Sequence, residues 1–414
     1  MIRAKLFLQR NYKTLFLSIL LSLIISLLIY NKIIYPAITP MVKNGILFLF
    51  ADWTVIVNAN LCLEKGFDVF IQNPCDPWSR KHVYGEILLY LPFIDVLKKF
   101  YLFYFPIIVN FLFIYVFISF FNYKKSLKNY TLFFFALSAP FLIAVERANN
   151  DILIFLIIFL VSKYRNLLTS HILILLGALS KFYPVCFGII FLFKKDIKKI
   201  LINLALFSLF ISIFIFFQLE SLIKIFNTQT QFSAGNVYAF SFTSLINTIG
   251  YFQLIDDFRW LKIFFIIGFL LIPFLLIVYL FAFKKNHFFS EIFTNNIFEN
   301  RIYIISSITL ISCYFIIENI FYREIFFLGL IPWLLKYEDQ ESNIKDFYYY
   351  FILFKFFATT IIIYLVVGQN NLLFDFKPLL ILLKHTIDFY LMAVILSIST
   401  ISLYNFFKKD LIFR

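Results

Sequence analysis

Charge is what this sequence has least of. Only 14% of its 414 residues are Asp, Glu, Lys or Arg, against 62% hydrophobic. A soluble domain carries about 25% charged and about 45–50% apolar residues, so a soluble globular class is excluded. Histidine is scarce as well, and four residues argue against a metal centre built on imidazole. Cysteine stands only at positions 62, 75, 186 and 313, with no CxxC and no His/Cys spacing that fits zinc. No internal repeat is visible, and no metal or other cofactor is expected. What remains is long apolar runs that are continuous rather than alternating. In hydrocarbon every backbone polar group must be satisfied within its own segment or in a closed sheet, so such runs are helices and not barrel strands. The expected fold is all-α: a single integral-membrane domain over residues 1–414, built as a polytopic transmembrane helical bundle.

The net charge of +14 would suit a nucleic-acid binder, but its distribution excludes that partner. Lys and Arg fall in short clusters between apolar runs, which is how membrane orientation is encoded. Arg3, Lys5, Arg10 and Lys13 precede a first run too long for a signal-peptide core and without a small-residue cleavage site, so it reads as an uncleaved anchor. With the N-terminus inside and about 20 apolar residues per span, the chain divides into about twelve helices, roughly 10–13. The basic stretches "NYKKSLKNY", "KKDIKK" and Lys408–Lys409 then all fall inside. Residues 36–99 become a first extracytoplasmic loop with short amphipathic helices, and 218–259 a second. Both termini are expected in the cytoplasm, in a multi-pass protein of the plasma (inner) membrane.

On that map the unusual polar residues collect at the outer face. Irregular polar backbone beside a bilayer is tolerated where it lines a cavity, so several such turns on one side suggest one shared cavity. Asp52, in "FLFADWTVIV", is either a helix cap in the headgroup layer or a catalytic base at the membrane surface. "ERANND" supplies Glu146, Arg147 and Asp151. Capping plus an Arg–Glu pair is the plain explanation, and phosphate binding by Arg147 is the sharper one. Lys181 and Tyr183 in "LSKFYP" mark an outer turn, where the lysine either snorkels or meets a phosphate. Tyr322, Arg323 and Glu324 mark another, where Arg323 either pairs with Glu324 or Glu318 or binds an anion. In "QNPCDPWSRKHVYGE", Arg80, Lys81 and His82 form a basic knot with Glu86 four residues on. A Cys62–Cys75 disulfide is open in an oxidising compartment. Cys186 and Cys313 fall in helices, as core packing. Trp53, Trp78 and Trp260 are candidate interfacial anchors or, less plainly, a sugar platform.

In order along the chain stand "ADWTVIV", "HVYGEILLYLPF", "ERANNDILIFLIIFL", "GALSKFYPVCFGIIFLF" and "FYREIFFLGLIPWLL". This order resembles the GT-C superfamily of integral-membrane glycosyltransferases, and within it glycosyltransferase family 87, which includes polyprenyl-phosphate-mannose-dependent mannosyltransferases. The resemblance spans most of the chain through short motifs. It implies a GT-C-like bundle and inverting transfer of a hexose, mannose-like, from a polyprenyl-phosphate-linked donor to a glycolipid or glycan acceptor on the outer face. Membrane lipids surround the site. Asp52 matches the general base. Arg147, Lys181 and Arg323 match the basic positions and would bind the donor phosphate. Tyr183, Tyr322, Glu146, Arg80, His82 and Tyr84 complete the substrate-binding candidates. "HVYGE" departs from the Pro-rich tyrosine motif that often ends the family's first loop, which leaves Asp68, Asp76 and Glu86 as rivals to Asp52. Readings of another class are a transporter or lipid-linked-sugar flippase, which requires ionisable residues in mid-membrane, and a polysaccharide polymerase or ligase.

Overall fold

The computed structural model describes residues 2–30, 42–43, 46–47, 49–121, 131–193, 197–228, 236–251, 268, 271, 274–275, 292–293, 296–316, 319–336, 343–367 and 377–408. Among them the fold is helical, apart from two-residue strands Val42–Lys43 and Ile46–Leu47 paired antiparallel. Five helical stretches are long and apolar enough to cross a membrane: Tyr12–Ile29, Ile94–Ser119, Ile197–Ile225, Lys345–Val367 and Lys377–Phe406. The other expected crossings take shorter forms. Residues 132–147 are split into α1 (Leu132–Ala136) and α2 (Ala139–Arg147), with Pro140 in the first turn of the second. Proline lacks an N–H, so it fits a first turn, where that donor has no helical partner. Then come α3 (Asn150–Lys163) and α4 (Leu167–Ser180). Two ten-residue 3₁₀ segments follow at their own places, Tyr183–Leu192 and Phe321–Leu330. At about 2 Å rise per residue each spans about 20 Å, short of a bilayer core. The expected crossing near residues 260–283, with Trp260, lies outside the described residues except at isolated positions.

The segment expected to form the first outer loop carries a helix of its own, Ala51–Glu64, with Asp52 in its first turn. We call it the loop helix. Its far end is joined to the following turn by a Cys62–Cys75 disulfide. Trp53 is not an interfacial anchor. It is 3% exposed, stacks on Phe105, and donates its indole N–H to the Tyr101 carbonyl at 2.9 Å. The loop ends where the Gly85 N–H donates to the Ser180 carbonyl at 2.9 Å, against the C-terminus of α4. A Cβ at Gly85 would stand 1.7 Å from the Leu179 carbonyl oxygen, so only glycine permits this approach.

The helix Ile197–Thr228 runs well into what the charge pattern assigned to the second outer loop. Its last turns meet the first loop: Lys224 pairs with Asp68 at 2.9 Å, Gln218 donates to Glu86 at 3.0 Å, and Ser221 also donates to Glu86. Residues 238–240 pair with 319–321 through the Phe240 N–H to the Asn319 carbonyl and the Phe321 N–H to the Tyr238 carbonyl. That bridge fixes where the segment bearing Tyr322 and Arg323 begins.

Candidate active site

Backbone strain gathers where the polar residues do. Among the described residues, four other than glycine have positive φ: Phe50, Ser79, Phe93 and Ala148. Phe50 precedes the loop helix that carries Asp52, Ser79 precedes Arg80, and Ala148 lies between Arg147 and Asn149. Each such residue costs on the order of 1–3 kcal/mol and persists where surrounding structure enforces it. The Phe50 N–H donates to the Glu146 carbonyl at 2.9 Å, which ties the start of the loop helix to the end of α2.

Asp52 is buried, 8% exposed. Its Oδ2 accepts a hydrogen bond from Asn149 Nδ2 at 2.7 Å. Its Oδ1 faces Arg80 Nη1 at 3.6 Å and Arg147 Nη1 at 3.9 Å. Arg80 is held from behind. Asp76 accepts from its Nε at 3.0 Å and its Nη2 at 2.9 Å, and the Ala51 carbonyl accepts from Nη2 at 2.9 Å. The Asp76 oxygen Oδ2 also takes the backbone N–H of Trp78 and of Arg80, which makes the turn itself rigid. The nearest acceptors of Arg147 among the described residues are the long contacts to Asp52 and to Glu146, both at 3.9 Å. Among the described residues its buried Nε has no hydrogen-bond partner, and neither carboxylate oxygen of Glu146 has one. Burial pushes the Glu146 carboxyl up to about 7, against the pull of Arg147 and with the push of Asp52.

A second centre adjoins the first. Asp151 is fully buried, and its Oδ1 accepts from Lys181 Nζ and from the Tyr183 hydroxyl, each at 2.5 Å. Its Oδ2 meets Arg323 Nε at 3.3 Å. The Arg323 guanidinium lies 5.2 Å over the Tyr183 ring and the Lys181 ammonium 5.4 Å over that of Tyr84, attractive placements for cations on aromatic faces. Asn149 joins the two centres. Its amide nitrogen serves Asp52 while its oxygen caps α3 by accepting from the Asp151 N–H at 2.9 Å. Burial first, then the charges of Asp52 and Asp151 and the neighbouring Tyr322, hold the Tyr84 phenol well above its ordinary range.

Nine of the ten residues singled out from sequence therefore share one polar cluster, assembled from five distant segments: Asp52, Arg80, Tyr84, Glu146, Arg147, Lys181, Tyr183, Tyr322 and Arg323. His82 does not share its chemistry. It is fully buried between the Phe70 and Tyr84 rings, its Nε2 lies 3.4 Å from the Gly85 carbonyl, and burial pulls it down to about 4. It is a packed neutral ring, and adjacency to Arg80 in the chain did not reveal its direction. Lys181 does not snorkel: it is 6% exposed, and burial pulls its ammonium down to about 8 although Asp151 pulls the other way. Arg323 pairs with Asp151 rather than with Glu324, and Glu318 lies outside the described residues. The rival carboxylates are otherwise engaged: Asp68 and Glu86 lie against the Ile197–Thr228 helix, away from the cluster, and Asp76 lies within it but is taken up by Arg80.

Sequence reasoning missed Asn149 as the joint and took Asp151 only for a helix start. It also missed a buried ionic knot. Glu324, next to Arg323, pairs with Lys355, which meets Asp388 at 2.9 Å; Lys384 meets Asp388 at 2.9 Å and Glu324 at 3.8 Å. All four side chains are 0% exposed. Lys384 also donates to the Ala239 carbonyl at 2.7 Å, inside the bridge that begins the Tyr322–Arg323 segment.

Chemically the cluster offers a buried carboxylate with one oxygen held and the other in long contact only. Beside it stands the Arg147 guanidinium, whose ion-pair contacts among the described residues lie at 3.9 Å. Four cations, Arg80, Arg147, Lys181 and Arg323, face four carboxyl groups, those of Asp52, Asp76, Glu146 and Asp151. With its carboxyl pushed up to about 7, Glu146 is only partly ionised at neutral pH, which tips the balance towards positive charge and suits the site to an anion. Among the described residues no group of His, Cys, Asp and Glu has the makings of a metal site. Compared with protein-family models, curated proteins and solved structures, the chain matches none, and a functional reading rests on the chemistry of this cluster.

Proposed function

We propose that the protein is a membrane glycosyltransferase of GT-C type, which moves a hexose from a polyprenyl-phosphate donor to a glycolipid or glycan acceptor at the extracytoplasmic face. The observation that carries this reading is the meeting of Asp52 with Arg147, Arg80 and the Asp151 centre, from segments far apart in sequence, in a chain with five membrane-length apolar helices. Asp52 Oδ1 takes the proton of an acceptor hydroxyl as that oxygen bonds to the anomeric carbon. The bond from that carbon to the phosphate oxygen breaks, with inversion. The leaving group changes from a phosphodiester to a phosphomonoester and gains one negative charge. Arg147, whose ion-pair contacts among the described residues are long, stabilises that charge where it develops. Arg323, paired through Nε and 16% exposed in its side chain, adds a second cation at the rim. Lys181 and Tyr183 act behind them by holding Asp151.

The first test supplies membranes with a polyprenyl-phosphate hexose and compares envelope glycolipids with and without the protein. Arg147→Gln is expected to lower kcat/KM for the donor about tenfold or more, through kcat as well as donor KM, with acceptor KM little changed, as loss of a charge-assisted phosphate contact that strengthens in the transition state would do. Equal effects on both substrates would give Arg147 a structural role. The orientation has its own test. A cysteine at Val83, 40% exposed, should react with a membrane-impermeant maleimide on intact cells, above the background of the native chain. Reaction only after lysis would invert the topology. The Cys62–Cys75 disulfide supports the outward assignment, since such bonds persist in oxidising compartments.

The buried ionic knot favours a carrier as the second reading, because ionisable residues deep between helices mark translocation paths. Its charges balance, and none of its side chains is exposed. That suits a lock more than a passage.

A further inference from the structure

A cavity of about 370 Å³ lies at the far end of the loop helix, lined by Asn58, Lys65, Phe67, Pro74, Cys75 and Lys98 among others. We propose that this hollow is a separate binding site for a phosphate group, held between the ammonium groups of Lys65 and Lys98.

Two cations from different elements line one hollow. Lys65 caps the C-terminus of the loop helix, and Lys98 lies in the short helix Ile94–Lys99. Like charges facing one hollow repel, and an anion between them turns that repulsion into two attractions. The nearby carboxyl groups of Glu64 and Asp95 lie close to each other, and among the described residues neither Lys65 nor Lys98 is joined to them, or to any other carboxylate, in an ion pair within 4 Å. The Asn58 side-chain amide adds a donor of the kind a phosphate oxygen accepts. The walls are stiff, because the disulfide ties Cys75 to the loop helix and Pro74 precedes it. A volume of about 370 Å³ is at the small end of the range of about 300–1,000 Å³ for ligand sites, which fits a head group better than a whole lipid.

The site is distinct from the cluster around Asp52. Asp52 and Lys65 stand at opposite ends of the loop helix, about 20 Å apart at 1.5 Å per residue. Its depth points to where phosphate is abundant. Lys98 is the fifth residue of the 26-residue apolar stretch Ile94–Ser119, so its ammonium sits about where lipid phosphates lie. The phosphate therefore comes either from an anionic lipid head or from a soluble phosphate compound. The inference needs only that Ile94–Ser119 enters a bilayer, and not that the protein transfers sugar.

The experiment uses the purified full-length chain in two arms. In one, the chain is reconstituted in phosphatidylcholine with a minority of phosphatidylglycerol, and retained lipid is counted by native mass spectrometry. In the other, glycerol 3-phosphate and inorganic phosphate are titrated in neutral detergent against the thermal midpoint. Lys65→Gln with Lys98→Gln is expected to weaken binding about tenfold or more, and Lys65→Arg with Lys98→Arg to retain it. Both lysines are exposed, so the variants should fold, and an unchanged midpoint without ligand checks this. Loss confined to phosphatidylglycerol retention assigns the site to a lipid head. Loss confined to the titrations assigns it to a soluble phosphate. Binding in both arms that ignores the glutamine pair overturns the proposal, and so does absence of binding in both arms by the native chain. Sugar transfer enters neither readout, so failure here leaves the proposed activity untouched.

Discussion

Asp52→Asn is expected to lower sugar transfer by about 10²–10⁴-fold, the range general-base catalysis contributes, while the protein accumulates in the membrane at its normal level. The substitution keeps the shape of the side chain and one oxygen, so Asn149 Nδ2, now 2.7 Å from Oδ2, keeps an acceptor once the new amide turns. What disappears is the site for the acceptor proton and the negative charge that Arg80 and Arg147 face at 3.6 and 3.9 Å. Because both contacts are long, their loss costs little stability, and Arg80 remains on Asp76 through two hydrogen bonds. The effect should therefore fall on kcat rather than on folding. Transfer at the native rate would remove Asp52 as the base. Glu146, buried beside Arg147 with both oxygens unengaged, would then be the carboxyl to test next. Transfer lost together with protein accumulation would give Asp52 a structural role instead.

What the sequence made legible was placement, and what it hid was pairing. Asp52, Arg147, Lys181 and Arg323 are conspicuous because an ionised group inside an oily run is costly, so each needs a local reason. The charge rhythm of the loops likewise marks the long apolar helices. Partners across the fold leave no such trace. Asp151 follows Asn149 and Asn150, and an acidic residue in a first turn is already explained by the helix dipole, so its role on Lys181, Tyr183 and Arg323 is invisible in one dimension. Arg323 next to Glu324 reads as a pair. In the 3₁₀ segment Phe321–Leu330, successive residues point about 120° apart at three residues per turn, which sends Arg323 to Asp151 and Glu324 to Lys355. One available signal went unused: Lys384 and Asp388 stand four apart inside an apolar run, the spacing of neighbours on one helix face.

Lys355→Met should be the most destabilising of the substitutions considered, by about 3–5 kcal/mol, because breaking a buried pair by removing one partner leaves uncompensated charge. Glu324 and Asp388 would then share Lys384 alone, and Lys384 already meets Glu324 only at 3.8 Å. The loss should appear as a lower thermal midpoint in detergent and reduced accumulation in membranes. It should also reach the candidate active site, because Glu324 is the chain neighbour of Arg323 and Lys384 grips the Ala239 carbonyl within the bridge that starts this segment. Pairing Lys355→Met with Glu324→Gln removes one charge of each sign and should recover most of the midpoint, as expected for a balanced knot. If the knot is a lock, the double variant regains sugar transfer along with stability. If it is a translocation path, the double variant regains stability and stays inactive. A single variant as stable as the native protein would show that the four charges are reached by water, and the lock would have to be abandoned.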